Sequence, residues 1–123
     1  MSVKLSEAVL KEVEAEAERL FTLNTDEIYE VLGRGLAFGA ADQGPSYYVG
    51  LAKAWLTERQ QEIRTAICTA DIVQNSRGKT VSEMVSACVV VLCRYLNQPA
   101  EIAAVAAIVV KQGLESWCGG LWS

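Results

Sequence analysis

The sequence predicts an all-α, single-domain bundle, and three observations carry that prediction. From Met84 to Cys93 only Ser86 is polar, and from Ala100 to Val110 only Glu101 is. A turn at Asn97-Gln98-Pro99 joins these two runs into an apolar helical hairpin, about residues 81–112. A helix apolar on every side must be covered by other helices, so the hairpin is expected at the centre of the fold. Elsewhere apolar residues recur at steps of three and four, the helical period. The 123 residues suffice for one domain with a real core, and no repeat or linker divides them. The expectation is five main helices plus a short C-terminal one.

The first helix is expected from about Ser2 to Leu23. Leu5, Val9, Leu10, Val13, Ala17, Leu20 and Phe21 line one face, and Glu7, Glu12, Glu14, Glu16 and Glu18 occupy most of the other. The second starts near Thr25, because Asn24 and Glu27 have capping-box spacing. Its inner stripe reads Ile28, Val31, Leu32, Gly35, Leu36 and Gly39, and it ends before the breaker cluster Asp42-Gln43-Gly44-Pro45. Gly35 and Gly39 share a face and are expected to let a neighbouring helix approach closely. Gly33, Gly35 and Gly39 do not form a dinucleotide fingerprint, since they lie inside a helical period and follow no strand.

Ser46 is expected to cap a third helix that runs to about Gln74. Its apolar positions are Tyr48, Ala52, Trp55, Leu56, Ile63, Ile67, Ala70 and Val73. Between them Thr57-Glu58-Arg59-Gln60-Gln61-Glu62 places six polar residues in a row, which goes right round a helix. That belt either overhangs into solvent or buries a polar contact, and Glu58, Arg59 and Glu62 are its candidate contact residues.

Thr80 and Glu83 have capping-box spacing for a fourth helix, Val81 to about Leu96. Gly78-Lys79-Thr80 resembles the end of a phosphate loop, but Val73 stands where that motif needs its first glycine. Arg94 is expected to pair with Glu101 across the turn. Pro99 suits the first turn of the fifth helix, Gly113 its C-terminal cap, and Lys111 the negative end of its dipole.

After Gly113 the chain ends in Leu114-Glu115-Ser116-Trp117-Cys118-Gly119-Gly120-Leu121-Trp122-Ser123. A short helix is expected to carry Trp117 onto the core. The apolar tip with Leu121 and Trp122 must either fold back onto the body or insert into a partner.

Composition bounds the function. The net charge of −4 argues against a general basic face for nucleic acid. No apolar run follows Met1, and the two apolar runs, 10 and 11 residues, fall short of the ~20 that a membrane span needs. A cytoplasmic protein is expected, with a small membrane-inserting hairpin as an alternative. The chain has four cysteines, no CxxC spacing and no histidine, so Cys68, Cys88, Cys93 and Cys118 are expected to be reduced and packed as small apolar groups. Without histidine, Glu58 and Glu62 lack the usual companions of a di-metal bundle site.

No catalytic residue, metal or cofactor is expected. The leading expectation is a non-enzymatic protein–protein interaction module: an adaptor, inhibitor or accessory subunit. It would contact a protein partner or a second copy through Trp122, Leu121, Trp117 and the belt of Glu58, Arg59 and Glu62. Small-residue helix faces such as Ala100/Ala104 would permit a homo-oligomer. The alternative is a bundle holding an apolar small molecule near Trp55, Tyr47 and Tyr48. An enzyme using Asp42, Glu58, Glu62 or Asp71 ranks last.

Overall fold

The computed structural model describes residues 6–37 and 44–122. Over those residues the chain is all-α and contains no strand, so Val89-Val90-Val91 is helical. Five long helices carry the fold: α1 (Glu7–Phe21), α2 (Thr25–Leu36), α3 (Pro45–Cys68), α5 (Val81–Leu92) and α6 (Pro99–Gln112). Two short helices, α4 (Asp71–Asn75) and α7 (Leu114–Cys118), and a terminal 3-10 turn (Gly119–Trp122) complete it.

The helix starts follow from local capping chemistry. Ser6 accepts a hydrogen bond from the Val9 amide at 3.2 Å and opens α1. The earlier start expected near Ser2 lies outside the described residues. At α2 both halves of the capping box form: Asn24 Oδ1 accepts from the Glu27 amide at 2.8 Å, and Glu27 Oε1 from the Asn24 amide at 3.2 Å. Thr80 Oγ1 accepts from the Glu83 amide and opens α5. Pro45 occupies the first turn of α3 behind Gly44, whose φ is 86°, so Ser46 is not the cap there. Pro99 begins α6 in the same way.

One helix, rather than the hairpin as a pair, holds the centre. Every residue of α6 from Ile102 to Val110 is buried. Helices α1, α2 and α5 pack around it, and α3 closes the bundle over α2. On α5, Ser82, Glu83 and Val90 keep a partly exposed stripe. Two polar links tie the layers together. Ser86 Oγ donates to Glu14 Oε1 at 2.9 Å, joining α5 to α1. Lys111 Nζ donates to the Phe21 carbonyl at 2.9 Å and lies over the Phe21 ring. Lys111 thus stands in the last turn of α6, as expected, and also satisfies the end of α1.

The glycine that permits close helix packing is Gly33. A Cβ built there would stand 2.0 Å from the Tyr48 carbonyl oxygen, so α2 and α3 touch backbone to backbone. Gly35 faces open space, and Gly39 lies outside the described residues. The buried stripe of α2 is Ile28, Tyr29, Leu32 and Gly33. It is rotated from the expected one because Tyr29 turns inward, its hydroxyl accepting from Gln112 Nε2 at 3.2 Å.

The long third helix ends six residues earlier than expected, at Cys68, and α4 follows as a separate turn of helix. Thr69 Oγ1 donates back to the Thr65 carbonyl at 2.6 Å, and the freed Cys68 carbonyl takes side-chain donors instead. Among the described residues no single helix is long and apolar enough to cross a membrane. Helix α6 and the tail meet that length only together, and they are bent by 94°.

These contacts predict opposite effects at two neighbouring glycines. Gly33→Ala lowers unfolding stability by about 2 kcal/mol, because the methyl meets backbone and the helices must part. Gly35→Ala, exposed in the last turn of α2, raises it by less than about 1 kcal/mol. Urea midpoints of the two variants against the parent check both signs.

Candidate interaction site at the C-terminal tail

Gly113, with φ 99°, closes α6 and turns the chain into α7. From there the tail is fastened to the bundle at three places. The first is covalent. Cys118 is bonded to Cys68 at the end of α3, with Cα atoms 5.5 Å apart and both residues buried. This overturns the expectation that all four thiols are reduced. The sequence separation is 50, and nothing in the spacing announces the pair. The bond falls where the end of one helix meets the end of another.

The second fastening is polar. Trp122 Nε1 donates to the Cys68 carbonyl at 2.7 Å, and Gln74 Nε2 donates to the same oxygen at 3.0 Å. One helix-terminal carbonyl, left without a helical donor, is thereby satisfied twice. The third is Arg77. Its guanidinium lies 4.4 Å from the Trp122 ring centroid, and its Nη2 is 2.7 Å from Glu115 Oε1. Trp122 therefore folds back onto the body. Sequence reasoning named Trp122 and missed Cys68, Cys118, Arg77 and Glu115, which hold it.

The expected contact residues fall into two groups. Trp117, Leu121 and Trp122 lie together on the tail. Trp117 and Trp122 are partly buried against the core, whereas Leu121 is 47% exposed. Trp117 also lines a cleft of about 290 Å³ with Tyr29, Lys53, Leu56, Thr57, Gln60 and Gln112. Its indole nitrogen is enclosed and has no hydrogen-bond partner among the described residues.

The belt residues stand elsewhere. Glu58 and Glu62 are exposed, and at 100° per residue they lie about 100–160° around α3 from Thr57 and Gln60, the positions facing Trp117. Arg59 resolves the conflict that six consecutive polar residues pose to the core. It lies along the helix with its guanidinium 4.6 Å from the Trp55 ring centroid and Nη1 3.2 Å from the Trp55 carbonyl. Its stem and the indole cover the apolar surface while the charge reaches solvent.

Arg59 also supplies the cation near Glu101, the role expected of Arg94. Burial pushes the Glu101 carboxyl above its ordinary value, and the Arg59 charge partly offsets this.

The residues proposed for a small-molecule site have other contacts. Tyr48 packs against Gly33, Trp55 lies under Arg59, and Tyr47 is 46% exposed with its ring edge-on to Tyr48. Of the residues weighed for catalysis, Asp42 lies outside the described ones. Among the described residues no three acids or cysteines converge as a metal site.

The two free thiols differ. Cys88 is fully buried, which pushes its pKa up to about 12. Cys93 is half-buried and donates to the Val90 carbonyl. No family model, curated protein or solved structure matches this chain.

Three outcomes follow. Trp122→Phe keeps a ring for Arg77 but loses the bond to the Cys68 carbonyl, which Gln74 still satisfies. It lowers stability by about 1 kcal/mol in chemical denaturation. Iodoacetamide labels Cys93 and leaves Cys88 untouched in the native chain, as intact mass shows. In the unfolded chain the Cys88 thiol ionises near 9.0, in the native chain near 12, so stability falls as pH rises through that window. A Cys88→Ala variant shows a shallower fall between those two pH values.

Proposed function

We propose that the protein is a non-enzymatic interaction module that presents its C-terminal tail to a protein partner. The observation that carries this reading is Leu121, a large apolar side chain 47% exposed on a segment fastened at three points. Binding through a segment already held in place avoids most of the cost of ordering it, so even a small apolar contact contributes net affinity. Trp117 and Trp122 flank Leu121 in sequence with part of their rings still accessible, and Trp is enriched among residues that anchor interfaces. The partner surface this suits is a shallow apolar recess, with a basic group opposite Glu115 at its edge.

The belt at Glu58 and Glu62 is a second and weaker surface, on a different side of α3. The proposed contact therefore centres on the tail alone, and a second copy of the chain is one partner that would suit it.

Native mass spectrometry of the chain recovered from its own cells tests the proposal, with Leu121→Asp as the control. The parent is expected in a complex heavier than 13.4 kDa, lost in the variant while the variant's helical circular dichroism is unchanged. A parent found only as monomer, or a complex that survives Leu121→Asp, contradicts it.

A further inference from the structure

We propose that the Cys68–Cys118 bond is a reversible redox latch, opened by a dithiol reductant, which releases residues 114–122 while the bundle beneath them stays folded. The proposal rests on the interaction reading only for its consequence: the latch decides whether Leu121 is offered on a fixed surface or on a loose strand. The latch itself stands on the contacts of the tail.

Those contacts place the tail at the margin of the core, where Leu114 and Cys118 are buried and Trp117 and Trp122 pack against it. Helix α6 is enclosed by α1, α2 and α5, while α7 packs on α3, α6 and the 3-10 turn. Once the disulfide opens, what still holds the tail is the apolar packing of Leu114, Trp117 and Trp122, the Trp122 bond to the Cys68 carbonyl, the stacking of Arg77 on Trp122 and the Arg77–Glu115 pair. That ion pair is exposed, 43% and 71% at its two side chains, and exposed pairs hold weakly. The tail also has places to bend. Gly113 with φ 99° stands at its base, and Gly119-Gly120 follows Cys118 directly. At the other end of the bond, α3 has already stopped at Cys68, so opening it interrupts no helix.

The chemistry is thiol–disulfide exchange. A thiolate of the dithiol attacks one sulfur, the S–S bond breaks, and the other sulfur leaves as a thiolate that takes up a proton. The second thiol of the reductant then displaces the first protein sulfur, which is protonated in turn. The protein gains two electrons and two protons, and the reductant becomes a disulfide. Both cysteines are buried, so attack requires a transient local loosening beside the bond, short of release. Loosening the polar fastenings must therefore speed reduction. The latch is closed in oxidising surroundings and open where thiols are kept reduced.

The test uses the full chain with and without dithiothreitol, the bond state being read by maleimide labelling and intact mass. Chymotryptic cleavage after Trp117 is expected to accelerate about ten-fold or more on reduction, while amide exchange in α6 and the helical circular dichroism hold. A paired Cys68→Ser, Cys118→Ser variant is expected to match the reduced form without any reductant. Arg77→Ala is expected to shorten the time needed to reduce the bond. Unchanged cleavage at Trp117, or loss of helical signal across the whole chain on reduction, overturns the latch and leaves a plain structural bond. No partner enters this experiment, so its outcome is separate from that of the Leu121→Asp comparison.

Discussion

A helix with no polar side is the constraint on which the fold depends. From Ile102 to Val110 α6 buries every residue, and a surface of that kind gains free energy only when it is removed from water all round. The surrounding helices each answer part of that demand. Helix α1 contributes Val13, Ala17 and Leu20, α2 contributes Ile28 and Leu32, and α5 contributes Val85, Val89 and Leu92. The alanines of α6 matter as much as its larger residues. Ala103, Ala104, Ala106 and Ala107 are all buried, and their small side chains let neighbouring helices lie close without voids.

The polar residues at the margins show how the bundle ends are closed. Lys111 reaches from α6 to the last turn of α1, Ser86 reaches Glu14, and Gln112 reaches the Tyr29 hydroxyl. Each bond lies in a partly buried position and ties two helices together. At the end of α3 Gln74 and Trp122 both donate to the Cys68 carbonyl, and the tail is drawn into the structure there. The apolar tip that looked available for insertion is thus partly engaged within its own chain, leaving Leu121 as its outward face.

What was legible in the sequence was what nearby residues determine. The capping box at Asn24 and Glu27, the Thr80 cap, Pro99 in a first turn and Gly113 at a helix end are signals spanning four residues or fewer, and each appears in the structure. The all-α class followed from period and from the two apolar runs. What was not legible depended on residues far apart in the chain. Gly33 was passed over because its constraint is the Tyr48 backbone across a helix crossing. Tyr29 was left out of the inner stripe because its hydroxyl partner, Gln112, is 83 residues away. The disulfide joins residues 50 apart, and four cysteines allow three pairings without one being marked. The α3 break at Cys68 had no proline or glycine to announce it.

The candidate site divides in the same way. Trp117, Leu121 and Trp122 stood out because a chain end is ordinarily polar, whereas the groups that hold them lie on α3, on α7 and in the loop after α4. The belt of Glu58, Arg59 and Glu62 was visible as a break in pattern. Its resolution, Arg59 laid over Trp55, needed three dimensions.

Hydrogen exchange by residue under native conditions tests the central claim most directly. If α6 is the enclosed centre, the amides from Ala106 to Val110, whose hydrogen bonds lie wholly within the helix, exchange only through global unfolding. They should be the slowest in the chain and share one free energy. Exchange there as fast as on the exposed face of α1, or an α6 that opens independently of the other helices, contradicts it.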